Sequence, residues 1–203
     1  MNMNMKLIGI SLSFVWLAVA IAATSAQELS PVLDTSGQPL RRGVEYIIKL
    51  AITDNGGPFT LIDRKGYCPF YVGQRNVTAD GIPVTFSPFE EGENIVRELK
   101  NFKVAFSGAT ICAQSTTWKV GQGEADTVDG RRLIATGDNA RYGNYFYINK
   151  DGDFADIYRM EWCPAELCPT CRFRCGSLGS LFENGKRLAA LDGSALPIVF
   201  ERV

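Results

Sequence analysis

Six cysteines, four of them packed between positions 163 and 175, constrain this chain more than any other feature. Cys163, Cys168, Cys171 and Cys175 form the cluster, while Cys68 and Cys112 stand apart in the first half. Their meaning depends on the amino terminus. Residues 1–6 are short and positively charged, residues 7–23 are an almost continuous apolar run, and Thr24-Ser25-Ala26 supplies small side chains for cleavage before Gln27. This is the pattern of a secretory signal peptide over residues 1–26, not of a membrane anchor, because no basic stop-transfer segment follows. An exported chain meets oxidising conditions, where an even cysteine count forms disulfides. Cys168-x-x-Cys171 with two further thiolates also has the spacing of a zinc site; behind an export signal, three disulfides and no metal are the expectation.

Cleavage after Ala26 leaves residues 27–203, a length suited to one domain around one core. With 21 basic and 22 acidic residues the formal net charge is −1, so the chain carries no electrostatic footprint for nucleic acid. No second apolar stretch is long enough to span a bilayer, and no membrane partner is expected. Histidine is absent altogether. That removes Ser-His-Asp and Cys-His catalysis and histidine metal ligation, and oxidised cysteines leave no thiolate nucleophile. Glu90 and Glu91 are adjacent carboxylates, but neighbours in extended chain point to opposite sides and make a poor acid–base pair. The chain is expected not to be an enzyme and to need no cofactor.

Short segments rich in β-branched and aromatic residues recur along the chain, at 45–52, 59–63, 83–86, 103–106, 145–148, 157–162 and 198–200. Between them lie Asn55-Gly56-Gly57, Asp80-Gly81, Asp129-Gly130, Asp151-Gly152, Asn184-Gly185 and Asp192-Gly193. Asn or Asp before Gly tolerates the positive φ of tight hairpin turns, so the pattern predicts an all-β barrel or sandwich. A faint echo narrows the choice. Gly81-Ile82-Pro83-Val84-Thr85-Phe86 resembles Ala195-Leu196-Pro197-Ile198-Val199-Phe200, with a degenerate copy at Gly143-Asn144-Tyr145-Phe146-Tyr147-Ile148. Three copies imply units of roughly 60 residues with about four short strands each. Such units around a pseudo-threefold axis make a disulfide-stabilised β-trefoil.

Several motifs stand out along the chain: Pro31-Val32-Leu33-Asp34-Thr35-Ser36-Gly37-Gln38-Pro39-Leu40 with Gly43 and Tyr46, Cys68-Pro69-Phe70-Tyr71-Val72-Gly73-Gln74, Ser115-Thr116-Thr117-Trp118, Trp162-Cys163-Pro164 with the three remaining cysteines, and Lys186-Arg187-Leu188. Together they resemble the plant Kunitz inhibitors of the soybean-trypsin-inhibitor type, in particular the miraculin-like branch. The resemblance spans residues 31–203. It implies a β-trefoil and the disulfides Cys68–Cys112, Cys163–Cys175 and Cys168–Cys171, the last two nested in one hairpin. It also implies an inhibitor that presents a preorganised loop to a protease as a substrate would, with one side chain filling the primary pocket.

By that resemblance the reactive loop is Ser87, Pro88, Phe89, Glu90 and Glu91, closed by Gly92. The primary contact falls on Glu90, or on Glu91 with a one-residue slip, where a trypsin inhibitor has Arg or Lys. A carboxylate facing trypsin's acidic pocket is unfavourable in a desolvated site, so trypsin is not the expected target through this loop. Arg42 stands where the family has a supporting asparagine, and pairing with the Glu90 or Glu91 carboxylate is the expected use of its charge. Arg64 and Lys65 are an alternative basic contact, and Arg131-Arg132 a second, though basic pairs in turns are ordinarily solvated surface. Asn76-Val77-Thr78 is an N-glycosylation acceptor.

The expectation is therefore a secreted or vacuolar, monomeric inhibitor of a serine endopeptidase, a serine carboxypeptidase or a cysteine protease. A second reading, favoured by the acidic loop, is a noninhibitory binding, storage or defence-associated protein on the same fold. A sugar-binding trefoil is disfavoured because repeated Gln-x-Trp signatures are absent.

Overall fold

A computed structural model of the protein describes residues 28–52, 56–75, 80–112, 114–138, 141–152 and 156–203. The signal segment 1–26 and the acceptor Asn76 lie outside the described residues. The strands fall into three units of like construction. The first holds β1 (Tyr46–Leu50), β2 (Phe59–Ile62), β3 (Tyr71–Gln74) and β4 (Val84–Pro88). The second holds β5 (Phe102–Phe106), β6 (Trp118–Val120), β7 (Thr127–Val128), β8 (Arg131–Arg132), β9 (Ile134–Thr136) and β10 (Phe146–Lys150). The third holds β11 (Tyr158–Trp162), β12 (Gly176–Ser177), β13 (Gly179–Glu183), β14 (Lys186–Ala190) and β15 (Ile198–Arg202). One 3-10 turn, Glu124–Asp126, is the only helical element among the described residues.

The first and last strands of the units close a six-stranded barrel. Long antiparallel pairings join one unit to the next: β4 with β5, β10 with β11, and β15 with β1. A single bridge inside each unit completes the ring, at Tyr46↔Val84, Phe102↔Phe146 and Tyr158↔Ile198. The hairpins β2–β3, β6–β9 and β13–β14 meet through β3, which pairs with both β9 and β14. This is a β-trefoil, and a closed barrel leaves no sheet edge along its wall.

The echo in the sequence marks the last strand of each unit. Val84 and Phe86, Phe146 and Ile148, and Ile198 and Phe200 occupy equivalent inward positions, and all six are buried. Period-two alternation puts them there, as it does Tyr46 and Ile48, Phe102 and Val104, and Tyr158 and Met160 on the first strands. Phe86 packs edge-on against Phe102 at 5.3 Å and Phe200 at 5.7 Å, bringing side chains of all three units together. Full burial of each such side chain stabilises by about 1.5–3 kcal/mol. At the turns, Asp129-Gly130 and Asn184-Gly185 have both residues at positive φ, the primed geometry that links β7 to β8 and β13 to β14.

Three bridges reinforce the barrel. Cys68–Cys112 ties the loop before β3 to the loop after β5, across 44 positions of sequence. Cys163–Cys175 closes the β11–β12 hairpin and encloses Cys168–Cys171. No cysteine is free, so the zinc alternative has no thiolate to use. Among the described residues no cluster of His, Cys, Asp or Glu is placed to hold a metal ion, and no helix is long and apolar enough to cross a membrane.

Candidate functional site

The loop at 87–93 leaves the barrel where β4 ends. Pro88 pairs with Phe102, and the Phe89 amide donates to the Asn101 carbonyl at 2.8 Å, so the sheet holds the loop up to Phe89. The Phe89 ring lies edge-on against Tyr145 at 5.5 Å and remains half-exposed. Beyond it the chain turns. The Glu93 amide donates to the Glu90 carbonyl at 3.3 Å, and Gly92 takes φ +83°, the third position of a type II turn, which only glycine occupies without strain. Glu90, Glu91 and Gly92 are exposed at the apex. Glu93 folds back: its carboxylate accepts from the Asn94 and Ile95 amides at 2.8 Å each and pairs with Arg97. These bonds, led by the one from Ile95, hold the Glu93 carboxyl below its ordinary range.

Arg42 braces the loop from beneath. It arrives on the amino-terminal strap, residues 31–42, where Leu40 bonds to Val32, Val96 bonds to Leu40, and the Arg42 amide donates to Asn94. Its Nε donates to the Glu93 carbonyl at 2.9 Å, and its Nη2 to the carbonyls of Pro88 at 3.0 Å and Glu90 at 3.3 Å. The expected pairing with the Glu90 or Glu91 carboxylate is replaced by this main-chain brace. The reason is geometric: a planar guanidinium fork faces a ring of carbonyl oxygens converging under the turn, while the carboxylates project from its outer side.

Glu90 instead faces Lys100, at 3.5 Å from Nζ, and Lys100 also pairs with Glu166 at 2.7 Å. The bond to Glu166 is the main reason the Lys100 ammonium is held above its ordinary pKa. Glu166 further accepts the Asn101 amide at 2.9 Å, and the Asn101 side chain donates to the carbonyls of Phe146 and Cys163. The cysteine-rich hairpin thus supports one flank of the loop. Sequence reasoning missed Glu93, Lys100, Asn101 and Glu166; none carries a motif, and Glu166 lies 66 positions from Lys100. Among the described residues, Glu91 alone of the apex acids makes no ion pair or hydrogen bond through its carboxylate.

The alternative basic contacts are turned to structural work. Arg64 forms a bidentate pair with Glu183 at 2.6 and 2.8 Å, donates to the Ala125 carbonyl at 2.9 Å, and lies over the Tyr71 ring. The Glu183 bond raises the Arg64 pKa, and the same bond lowers that of Glu183. Lys65 also sits over Tyr71. Arg131 donates to the carbonyls of Ser180 and Leu191, and Arg132 forms a bidentate pair with Asp192 at 2.8 Å. These hydrogen-bonding partners of Arg64, Arg131 and Arg132 lie 49–119 positions away in sequence, so a turn with two basic residues looked free when it is not.

A sequence profile of the legume Kunitz family, described as trypsin and protease inhibitors, matches residues 32–202. Kunitz type trypsin inhibitor 104 of Medicago truncatula is 44% identical over 197 residues, covering 94% of each chain. Miraculin of Synsepalum dulcificum is 28% identical over 213 residues, covering 95% of this chain and 94% of its own. The crystal structure of Alocasin, a protease inhibitor from giant taro, superposes with a TM-score of 0.73 at 31% identity, covering 86% of this chain and 99% of that one. With the barrel, the strap and the bridges described above, these likenesses place the chain in the plant Kunitz family of protease inhibitors, whose members are not enzymes.

Proposed function

We propose that the protein is a secreted protease inhibitor that presents residues 87–92 to its target, and that trypsin is not inhibited through this loop. The observation that carries the reading is the Arg42 brace. Three main-chain carbonyls held by one guanidinium keep the loop in one shape before any partner arrives, and preorganisation of this kind lowers the entropy lost on binding. The apex it holds out is acidic, which opposes insertion into an acidic primary pocket. Serine endopeptidases of other specificity, serine carboxypeptidases and cysteine proteases are the candidate targets. The mature domain is residues 27–203, a monomer, delivered to the extracellular space or the vacuole after loss of the 1–26 signal, with Asn76 as its glycan acceptor.

One observation favours a noninhibitory binding, storage or defence role instead. The Glu90 carbonyl already accepts from Arg42 and from the Glu93 amide, each at 3.3 Å, so a scissile bond after Glu90 must give up these bonds before its carbonyl can turn to an enzyme's donors. The deciding experiment titrates purified mature protein against trypsin, a serine carboxypeptidase, a cysteine protease and endopeptidases of other specificities. Stoichiometric inhibition of at least one enzyme other than trypsin supports the inhibitor reading; no inhibition of any moves the noninhibitory role to first place.

A further inference from the structure

We infer that Glu91, not Glu90, is the residue this loop offers to a primary pocket, and that the target is an endopeptidase with a cationic pocket that cleaves after acidic side chains. The inference rests on the reading of residues 87–92 as protease-facing, and it names the target of that same loop.

A residue bound in substrate fashion must meet two demands. Its side chain must be free to enter the pocket, and its carbonyl must be free to accept from the enzyme's oxyanion donors. Glu90 meets neither fully. Its carbonyl oxygen has two lone pairs, and Arg42 Nη2 and the Glu93 amide, each at 3.3 Å, compete for them. Its carboxylate faces Lys100 at 3.5 Å. Glu91 meets both. It is exposed at the second position of the turn, and among the described residues its carboxylate has no partner and no hydrogen bond is donated to its carbonyl.

The charge of the surroundings then selects the pocket. Lys100 is shared between Glu90 and Glu166, and Arg42 lies under the main chain rather than beside the apex carboxylates. The outer face of the turn is therefore net acidic. A carboxylate entering a desolvated pocket needs a cation there, with hydrogen bonds to its remaining lone pairs. Phe89, half-exposed against Tyr145, supplies an apolar contact beside it.

The test uses the mature protein and a glutamate-specific serine endopeptidase as probe, with trypsin as the contrasting enzyme. Native protein should inhibit the glutamate-specific enzyme. Glu91→Gln should weaken that inhibition at least about thirtyfold, the loss expected when one partner of a buried charge pair is truncated, whereas Glu90→Gln should change it only a fewfold. Glu91→Arg should abolish it and create trypsin inhibition. All three changes lie at an exposed turn, and an unchanged melting temperature shows that the fold is intact. A loss confined to Glu90→Gln overturns the assignment to Glu91. No inhibition of the glutamate-specific enzyme, with Glu91→Arg nevertheless inhibiting trypsin, overturns the acidic target while leaving the loop inhibitory. If neither enzyme responds to any variant, the protease-facing reading of the loop itself falls.

Discussion

Asp34, on the amino-terminal strap, accepts a 2.9 Å hydrogen bond from Nε of Arg202, on the last strand, so the two ends of the chain close on one buried carboxylate. The second oxygen of Asp34 accepts from the Ser36 amide and hydroxyl and from the Gln38 amide. The strap that delivers Arg42 to the loop is thereby pinned at its first turn.

This arrangement predicts an acid-sensitive strap. Burial opposes ionisation of Asp34, but the bonds from Ser36, Gln38 and Arg202 outweigh it and leave the pKa lowered. Asp192 and Glu183 are lowered chiefly by their pairs with Arg132 and Arg64. A carboxyl with a lowered folded pKa contributes stability above its unfolded value, here the ordinary 3.8 or 4.5, and that stability is lost as pH falls through the folded value. Urea midpoints should be level near neutrality and drop below about pH 4. Asp34→Asn should lower the midpoint at pH 7 and shrink the drop; an unchanged drop would show that Asp34 does not contribute to it.

Releasing the Glu90 carbonyl should change what the loop can do. In Glu90→Arg a cation stands at the apex, but its carbonyl stays occupied by Arg42, so little trypsin inhibition is expected. Glu90→Arg combined with Arg42→Asn removes the long fork, leaves a short hydrogen-bonding side chain, and should produce clear trypsin inhibition. A titration showing equal inhibition by single and double variants would mean that Arg42 does not restrain the loop.

The two classes of bridge should differ in worth. Removing Cys68–Cys112, which spans 44 positions, should cost about 2–4 kcal/mol on loop-entropy grounds. Removing Cys168–Cys171, which spans 3, should cost clearly less. Peptide mapping without reductant should recover all three pairings and no free thiol, and denaturant melts of the paired Cys→Ser variants should give this order.

At the barrel axis, Phe86→Ala deletes a ring in contact with Tyr46, Phe102 and Phe200. The expected loss is about 3–5 kcal/mol. A loss below about 1 kcal/mol, the size of a tolerated surface change, would contradict the central packing role. Far-UV circular dichroism of the native protein should show almost no helix.

The barrel was legible because its signals are local. The inward residues of β4, β10 and β15 recur at alternate positions around Val84, Phe146 and Ile198, and period-two burial alone places them. Strands β3, β6, β9, β13 and β14 were harder to see. β3, β6 and β9 are only three or four residues long, and the pairing of these strands is set largely by neighbours in other units, as Arg187↔Gln74 and Tyr71↔Ala135 show.

By itself, then, the sequence determined the fold class, the threefold repeat, the turns at Asp129-Gly130 and Asn184-Gly185 and the acidic residue types at 90–91, since these depend on side-chain period, φ preference and residue type; Asp80-Gly81, read as a turn as well, leads into β4 without one. Tertiary structure alone decided which charges were available. Arg42 went to the carbonyls of Pro88, Glu90 and Glu93, Arg64 to Glu183, Lys100 to Glu166, and Glu91 was left unpaired among the described residues. The physical reason is range. A hydrogen bond or ion pair acts over about 3–4 Å, and which groups come within that distance is set by how strands distant in sequence close the barrel.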